Sequence, residues 1–129
     1  MRLLLDTHTL LWAVGQPSKL SDQAASLVGD PANELVVSAV VPWELAIKCH
    51  LGKLPPAAPL LLGWAAALQR LSATAMSITH AHALAAGGLA WTHRDPFDRM
   101  LAAQALSDSL PVVSADEIFD TLPGIRRLW

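Results

Sequence analysis

Apolar positions in this chain fall into short runs cut by Gly, Pro or charged residues. The runs alternate between the unbroken pattern of a buried strand and the spaced pattern of a helix. Leu3-Leu4-Leu5 predicts a first strand, and Thr9 to Val14 predicts a helix. Gly15 to Ser18 is expected as a loop, and Ser21-Asp22 as the cap of a second helix toward Val28. Leu35-Val36-Val37-Ser38 predicts a second strand. Pro42 suits the first turn of a helix carrying Trp43 to Leu51, which Gly52 ends.

In the second half, Pro55, Pro56 and Pro59 predict a bend before one Ala/Leu-rich helix that continues to about Leu71. Ala75 to Ile78 is the expected third strand, and Thr79 to Ala86 a helix broken by Gly87-Gly88. Asp95-Pro96 opens a helix through Leu106, Pro111 to Ser114 reads as a strand, and Asp116 to Asp120 as a helical turn. Ile125 to Trp129 is expected as a last edge strand. Strands alternating with helices imply an α/β fold: a central parallel sheet of four to five strands between two helical layers. At 129 residues the chain is expected to be a single domain over its whole length.

Composition narrows the possibilities. The chain is 53% hydrophobic with 16% charged residues and five tryptophans, which argues against disorder and fits either a large ordinary core or apolar surface covered by another chain. The longest apolar run, Leu60 to Leu68, is nine residues, against the roughly 20 that a bilayer requires. Asp6 interrupts the apolar start before a signal-peptide core can form. The single cysteine, Cys49, permits no internal disulfide and suits a reducing cytoplasm, as a packed thiol. Histidines 8, 50, 80, 82 and 93 show no zinc spacing and read as ordinary surface or core side chains.

Four of the eleven acids stand where apolar runs begin or end. Asp6 follows the first strand, Glu44 the second, and Asp116 the strand at Pro111 to Ser114, while Asp98 opens the helix that feeds that strand. Taken singly, each is accounted for as a helix cap. Topology adds more. The carboxyl ends of parallel strands share one edge, and a helix returning antiparallel to them starts at that same edge. All four carboxylates are therefore expected to converge, which capping alone does not require. Such a group repels itself unless a cation is present, and an all-oxygen donor set prefers Mg²⁺ or Mn²⁺ to zinc. Metal of this kind suits phosphodiester hydrolysis. With the four acids neutralised, seven acidic side chains face nine basic ones, a balance that phosphate tolerates.

At these residues the chain resembles the PIN-domain family, and within it the VapC-like toxins of bacterial toxin–antitoxin pairs. Leu4-Leu5-Asp6-Thr7-His8 matches the family's opening motif, and Pro42 to Lys48, followed by Leu51-Gly52-Lys53-Leu54, matches the second. His93 to Arg99 and Val113-Ser114-Ala115-Asp116 complete the set in family order. The resemblance implies that Asp6, Glu44, Asp98 and Asp116 bind metal and carry catalysis, supported by Ser114 and Thr7. It also implies RNA as substrate, a homodimer, and silencing by a cognate antitoxin. Asp95, ahead of Pro96, lies outside the acidic pattern and reads as a helix cap. Lys48, Arg94 and Arg99 are candidate phosphate contacts, with an i,i+4 pair to Glu44 as the structural account of Lys48. An Asp-based phosphotransfer domain would also place an Asp after its first strand, but Asp6-Thr7-His8 lacks the second acid such sites carry. A non-catalytic PIN-like binding module usually loses one or more of the acids, and none is missing here.

Overall fold

The computed structural model describes residues 1–54 and 57–129. Five parallel strands form one sheet in the order β3-β2-β1-β4-β5: β1 Arg2–Leu5, β2 Glu34–Ser38, β3 Thr74–Met76, β4 Val112–Val113 and β5 Arg127–Leu128. Among the described residues, seven α-helices flank it, giving the three-layer α/β/α arrangement expected from the alternation. None of these helices is long and apolar enough to cross a membrane.

The sheet forms because its central strands are apolar on both faces, as a strand covered on both sides must be. Leu3, Leu4, Leu5, Val36, Val112 and Val113 are all fully buried. Leu4 pairs with Val36 on one side and Val112 on the other, so β1 lies at the centre. From β1 the chain first adds strands on one side and then returns to add β4 and β5 on the other. Right-handed crossovers running in opposite directions cover opposite faces, and the reversal opens a crevice at the carboxyl end of β1.

Helices α1 (Thr7–Gly15) and α3 (Val40–His50) rise from the ends of β1 and β2, and α7 (Pro96–Asp108) runs back to feed β4. Local chemistry explains their limits. Asp6 caps α1, Ser21 caps α2 (Asp22–Gly29), and Asp95 caps α7, each accepting from backbone N–H groups of the first turn. After α3, Gly52 adopts φ +71°, in the left-handed region that a helix stop exploits.

Three expectations need correction. The segment ending near Leu71 is two helices, α4 (Ala58–Leu62) and α5 (Trp64–Arg70), broken at Gly63, whose helical propensity is poor. Pro55 and Pro56 of the expected bend lie outside the described residues. Helix α6 (His80–Gly88) absorbs both glycines instead of stopping before them. Its terminal carbonyls find a donor elsewhere: the Arg99 guanidinium bonds the carbonyl oxygens of Ala86, Gly87 and Leu89. Finally, the stretch expected as a loop after α1 contains a 3₁₀ turn at Pro17–Lys19.

Candidate active site

The acids at the carboxyl edge are held by three separate sets of contacts. Asp6 is buried where β1 ends, and its Oδ1 accepts from the Thr9 N–H at 2.7 Å. Its Oδ2 accepts from the Ser114 hydroxyl, which stands fully buried just beyond β4. The same Ser114 oxygen accepts from the Asp116 N–H at 3.0 Å. One hydroxyl thus ties together the residues that follow two neighbouring strands. Thr9 adds a second tie, donating from Oγ1 to the Val113 carbonyl at 2.8 Å. Asp116 itself caps the 3₁₀ turn Glu117–Thr121 and is exposed to solvent.

Glu44 is buried on α3. Thr7, next to Asp6, donates to Glu44 Oε1 at 2.5 Å. Lys48, one turn further along α3, places its ammonium on Glu44 Oε2. The i,i+4 geometry is therefore realised, and it gives the buried carboxylate a positive partner.

Asp98 lies in the first turn of α7, partly buried, with Oδ2 at 2.7 Å from His93 Nε2. Burial pushes its carboxyl up to about 6, with the charges of Asp95 and Glu44 adding to the rise and the His93 hydrogen bond and charge opposing it. The influence of Glu44 on Asp98 connects α3 and α7 electrically at this edge. Among the described residues, one group of three metal-ligating side chains has its donor atoms within 4.8 Å of one another: His93, Asp95 and Asp98. No three of the four acids singled out in the sequence approach one another that closely. Asp6 is linked to Asp116 through Ser114, and Asp98 is joined to Glu44 by charge alone.

Two side chains have roles that the sequence did not reveal. His93 is no ordinary surface histidine: it packs against Trp91 at a ring separation of 4.9 Å and bonds Asp98. Its position five residues ahead of Asp98 was the available signal. Arg99 is not free for phosphate, because its guanidinium also donates to the carbonyls of Trp91 and His93 at 2.9 and 3.0 Å. Together with its bonds to the end of α6, it clamps the loop that delivers His93. Arg94, by contrast, is exposed. His82 is structural, its Nδ1 accepting from the Thr79 N–H in a capping box at the start of α6. Cys49 donates its thiol to the Leu54 carbonyl at 2.9 Å.

This chain is similar to three known proteins. Ribonuclease VapC22 of Mycobacterium tuberculosis is 32% identical over 117 residues, covering 88% of this chain and 86% of that protein. Ribonuclease VapC16 of the same organism is 34% identical over 61 residues, 47% of this chain and 43% of that protein. The fold matches a chain of VapBC2 from Rickettsia felis, solved bound to a DNA fragment from their promoter. Its TM-score is 0.68 at 14% identity, over 99% of this chain and 98% of that one. The family profile described as PIN domain matches residues 3–125, and with an apolar parallel sheet that sets acids at its carboxyl edge, this chain belongs to the PIN-domain family.

Proposed function

We propose that this chain is a divalent-metal-dependent endoribonuclease, the toxin of a toxin–antitoxin pair, with Asp6, Glu44, Asp98 and Asp116 as its metal-binding and catalytic acids. The observation that carries this reading is the shortage of positive charge at the carboxyl edge. Lys48 is drawn onto buried Glu44, and burial together with two neighbouring carboxylates lifts Asp98 to about 6. Such a place attracts a cation, and carboxylates with hydroxyl supports would offer it oxygen donors of the kind that suit Mg²⁺ or Mn²⁺. The names of the two mycobacterial relatives support RNA as the substrate.

When bound, a divalent ion lowers the pKa of a coordinated water and offsets the charge that develops on the attacked phosphate. The chain's own residues orient the site. Ser114 fixes one Asp6 oxygen and Thr9 the other, leaving the carboxylate a single orientation. Thr7 does the same for Glu44, and His93 for Asp98. These are the supporting contacts that keep ligand carboxylates in place. Lys48, which here neutralises Glu44, and exposed Arg94 would be the basic side chains nearest the RNA backbone.

The cognate antitoxin is proposed to bind along α1. A cleft of about 660 Å³ there is lined by His8, Leu11, Trp12, Lys19, Leu54 and Ala57. A smaller cleft nearby, involving Leu11, Val14, Leu60 and Gly63, extends the apolar surface toward α4. An antitoxin arginine would reach the acids from this side and stand in for the cation, since a guanidinium fits carboxylates bidentately. A homodimer working in the cytoplasm completes the reading.

The test is cleavage of a mixed RNA pool with Mg²⁺ or Mn²⁺, with and without chelator. Cleavage abolished by chelation and restored by either ion is expected; cleavage that survives chelation, or that needs zinc, defeats the metal assignment. Inhibition that persists after every Arg and Lys in the antitoxin tail has been replaced defeats the guanidinium stand-in.

A further inference from the structure

We infer that Trp43 is a stacking platform for one unpaired base of RNA beside the acidic edge, an inference that rests on the proposed ribonuclease reading. Of the five tryptophans, Trp12, Trp64, Trp91 and Trp129 are partly buried and packed, whereas Trp43 is 53% exposed. A lone exposed apolar residue is ordinary on a protein surface; the surroundings of this one are not. Its backbone neighbour is buried Glu44. Its ring meets Phe97 edge-to-face, centroids 5.0 Å apart at 74°, and Phe97 directly precedes Asp98. The indole therefore packs across α3 and α7, one residue in sequence from an acid on each side. Lys48 Nζ lies 5.9 Å from the centroid of the same Phe97 ring.

Edge-to-face packing fixes the angle of a ring without burying both rings' faces. A half-exposed indole packed on Phe97, with the Lys48 ammonium against that same ring and the proposed cleaving edge close by in sequence, has the parts of a single-strand subsite: an aromatic face for the base and a cation for the backbone. Paired bases are already stacked within their helix and offer no free face, so the chemistry selects single-stranded RNA over duplex. Every base has a π-face, so the subsite tolerates any sequence.

The test measures binding of a fluorescein-labelled ten-nucleotide oligoadenylate, with Ca²⁺ replacing Mg²⁺ and intact RNA verified on a gel. The proteins compared are wild type, Trp43→Phe and Trp43→Leu, and sedimentation reports the oligomeric state of each. Trp43→Leu is expected to weaken binding about tenfold, Trp43→Phe by no more than about threefold. The same strand annealed to oligouridylate should bind no more tightly to wild type than to Trp43→Leu. Wild-type affinity in Trp43→Leu overturns the inference, and if that variant still cuts the mixed RNA pool, the ribonuclease reading stands without it. A Trp43→Leu protein that loses its partner copy while binding RNA normally assigns Trp43 to a contact between copies, which also overturns it. A wild type that neither binds nor cuts RNA defeats both.

Discussion

Asp6 and Asp98 occupy the same edge of the sheet but are held in opposite ways. Asp6 is fixed by the framework: one oxygen takes a backbone N–H of its own helix, the other a hydroxyl from the neighbouring strand end. Asp98 is fixed by a loop: its contact is the imidazole of His93, which arrives on a segment held by the Arg99 guanidinium. The first arrangement satisfies a buried carboxylate and strengthens the fold. The second leaves a partly buried carboxylate whose charged form is disfavoured, up to about 6. The edge thus joins an acid that the fold needs to an acid that the fold merely tolerates.

Activity should not distinguish the two. Asp6→Asn and Asp98→Asn are each expected to reduce metal-dependent RNA cleavage by roughly 10²–10³-fold, the scale for losing one preorganised electrostatic group. Single-turnover cleavage of the mixed pool at saturating Mg²⁺ measures this. If either variant cuts within a few-fold of wild type, that acid leaves the proposed site and the comparison collapses to stability alone.

Stability should separate them sharply. Asp6→Ala removes a helix cap and strands the buried Ser114 hydroxyl, which together cost about 2 kcal/mol. For a domain of this size that lowers the melting temperature by roughly 7 °C. Asp98→Asn should act in the other direction. Its folded-state carboxyl titrates near 6, above the ordinary value of 3.8, so the folded protein binds the proton more tightly than the unfolded chain. The resulting penalty is absent below the unfolded value and complete above the folded one. Metal-free Asp98→Asn is therefore expected to be about 1–2 kcal/mol more stable than wild type at pH 7.5, with the gain disappearing as pH falls from 6 toward 3.8. Denaturant melts in chelator across this range check it, and added Mg²⁺ should stabilise wild type more than the variant. A loss of stability at pH 7.5 that persists below pH 4 would make Asp98 a structural cap like Asp6.

The same contrast explains what could be read from the sequence. Features made by contiguous residues were legible. Leu3-Leu4-Leu5 became β1, Asp95-Pro96 opened α7, Gly52 followed α3, and Lys48 paired with Glu44 one helical turn away. The framework side of the edge was legible for the same reason, because parallel topology alone puts the residues after β1, β2 and β4 on one line. The loop side was not. Gly87-Gly88 would normally end a helix, yet α6 continues through them with the Arg99 guanidinium of α7 on the Gly87 carbonyl. His93 looks like any surface histidine until the path of the loop is known. Whether Trp43 is packed or exposed likewise depends on where Phe97 arrives, and no periodicity encodes that.

The smallest expected effect tests the loop side most directly. Arg99 bonds the carbonyls of Ala86, Gly87, Leu89, Trp91 and His93 through three nitrogens, a fan that a planar guanidinium can reach and an ammonium cannot. Arg99→Lys keeps the charge and most of the aliphatic stem, so α7 should remain folded, while the segment after α6 loses part of its anchorage. If Arg99 acts through His93, cleavage should fall about tenfold, the scale of losing a contact that orients a ligand. His93→Ala should cost a similar factor. Made together, the two changes should cost little more than either alone, because both release the same Asp98 carboxylate. His93→Gln, which keeps a hydrogen-bond donor, should recover part of the loss, whereas Arg99→Lys should not be rescued by it. Independent, multiplying effects of Arg99→Lys and His93→Ala would show that the clamp serves α6 alone, leaving Asp98 held by a loop that needs no anchor.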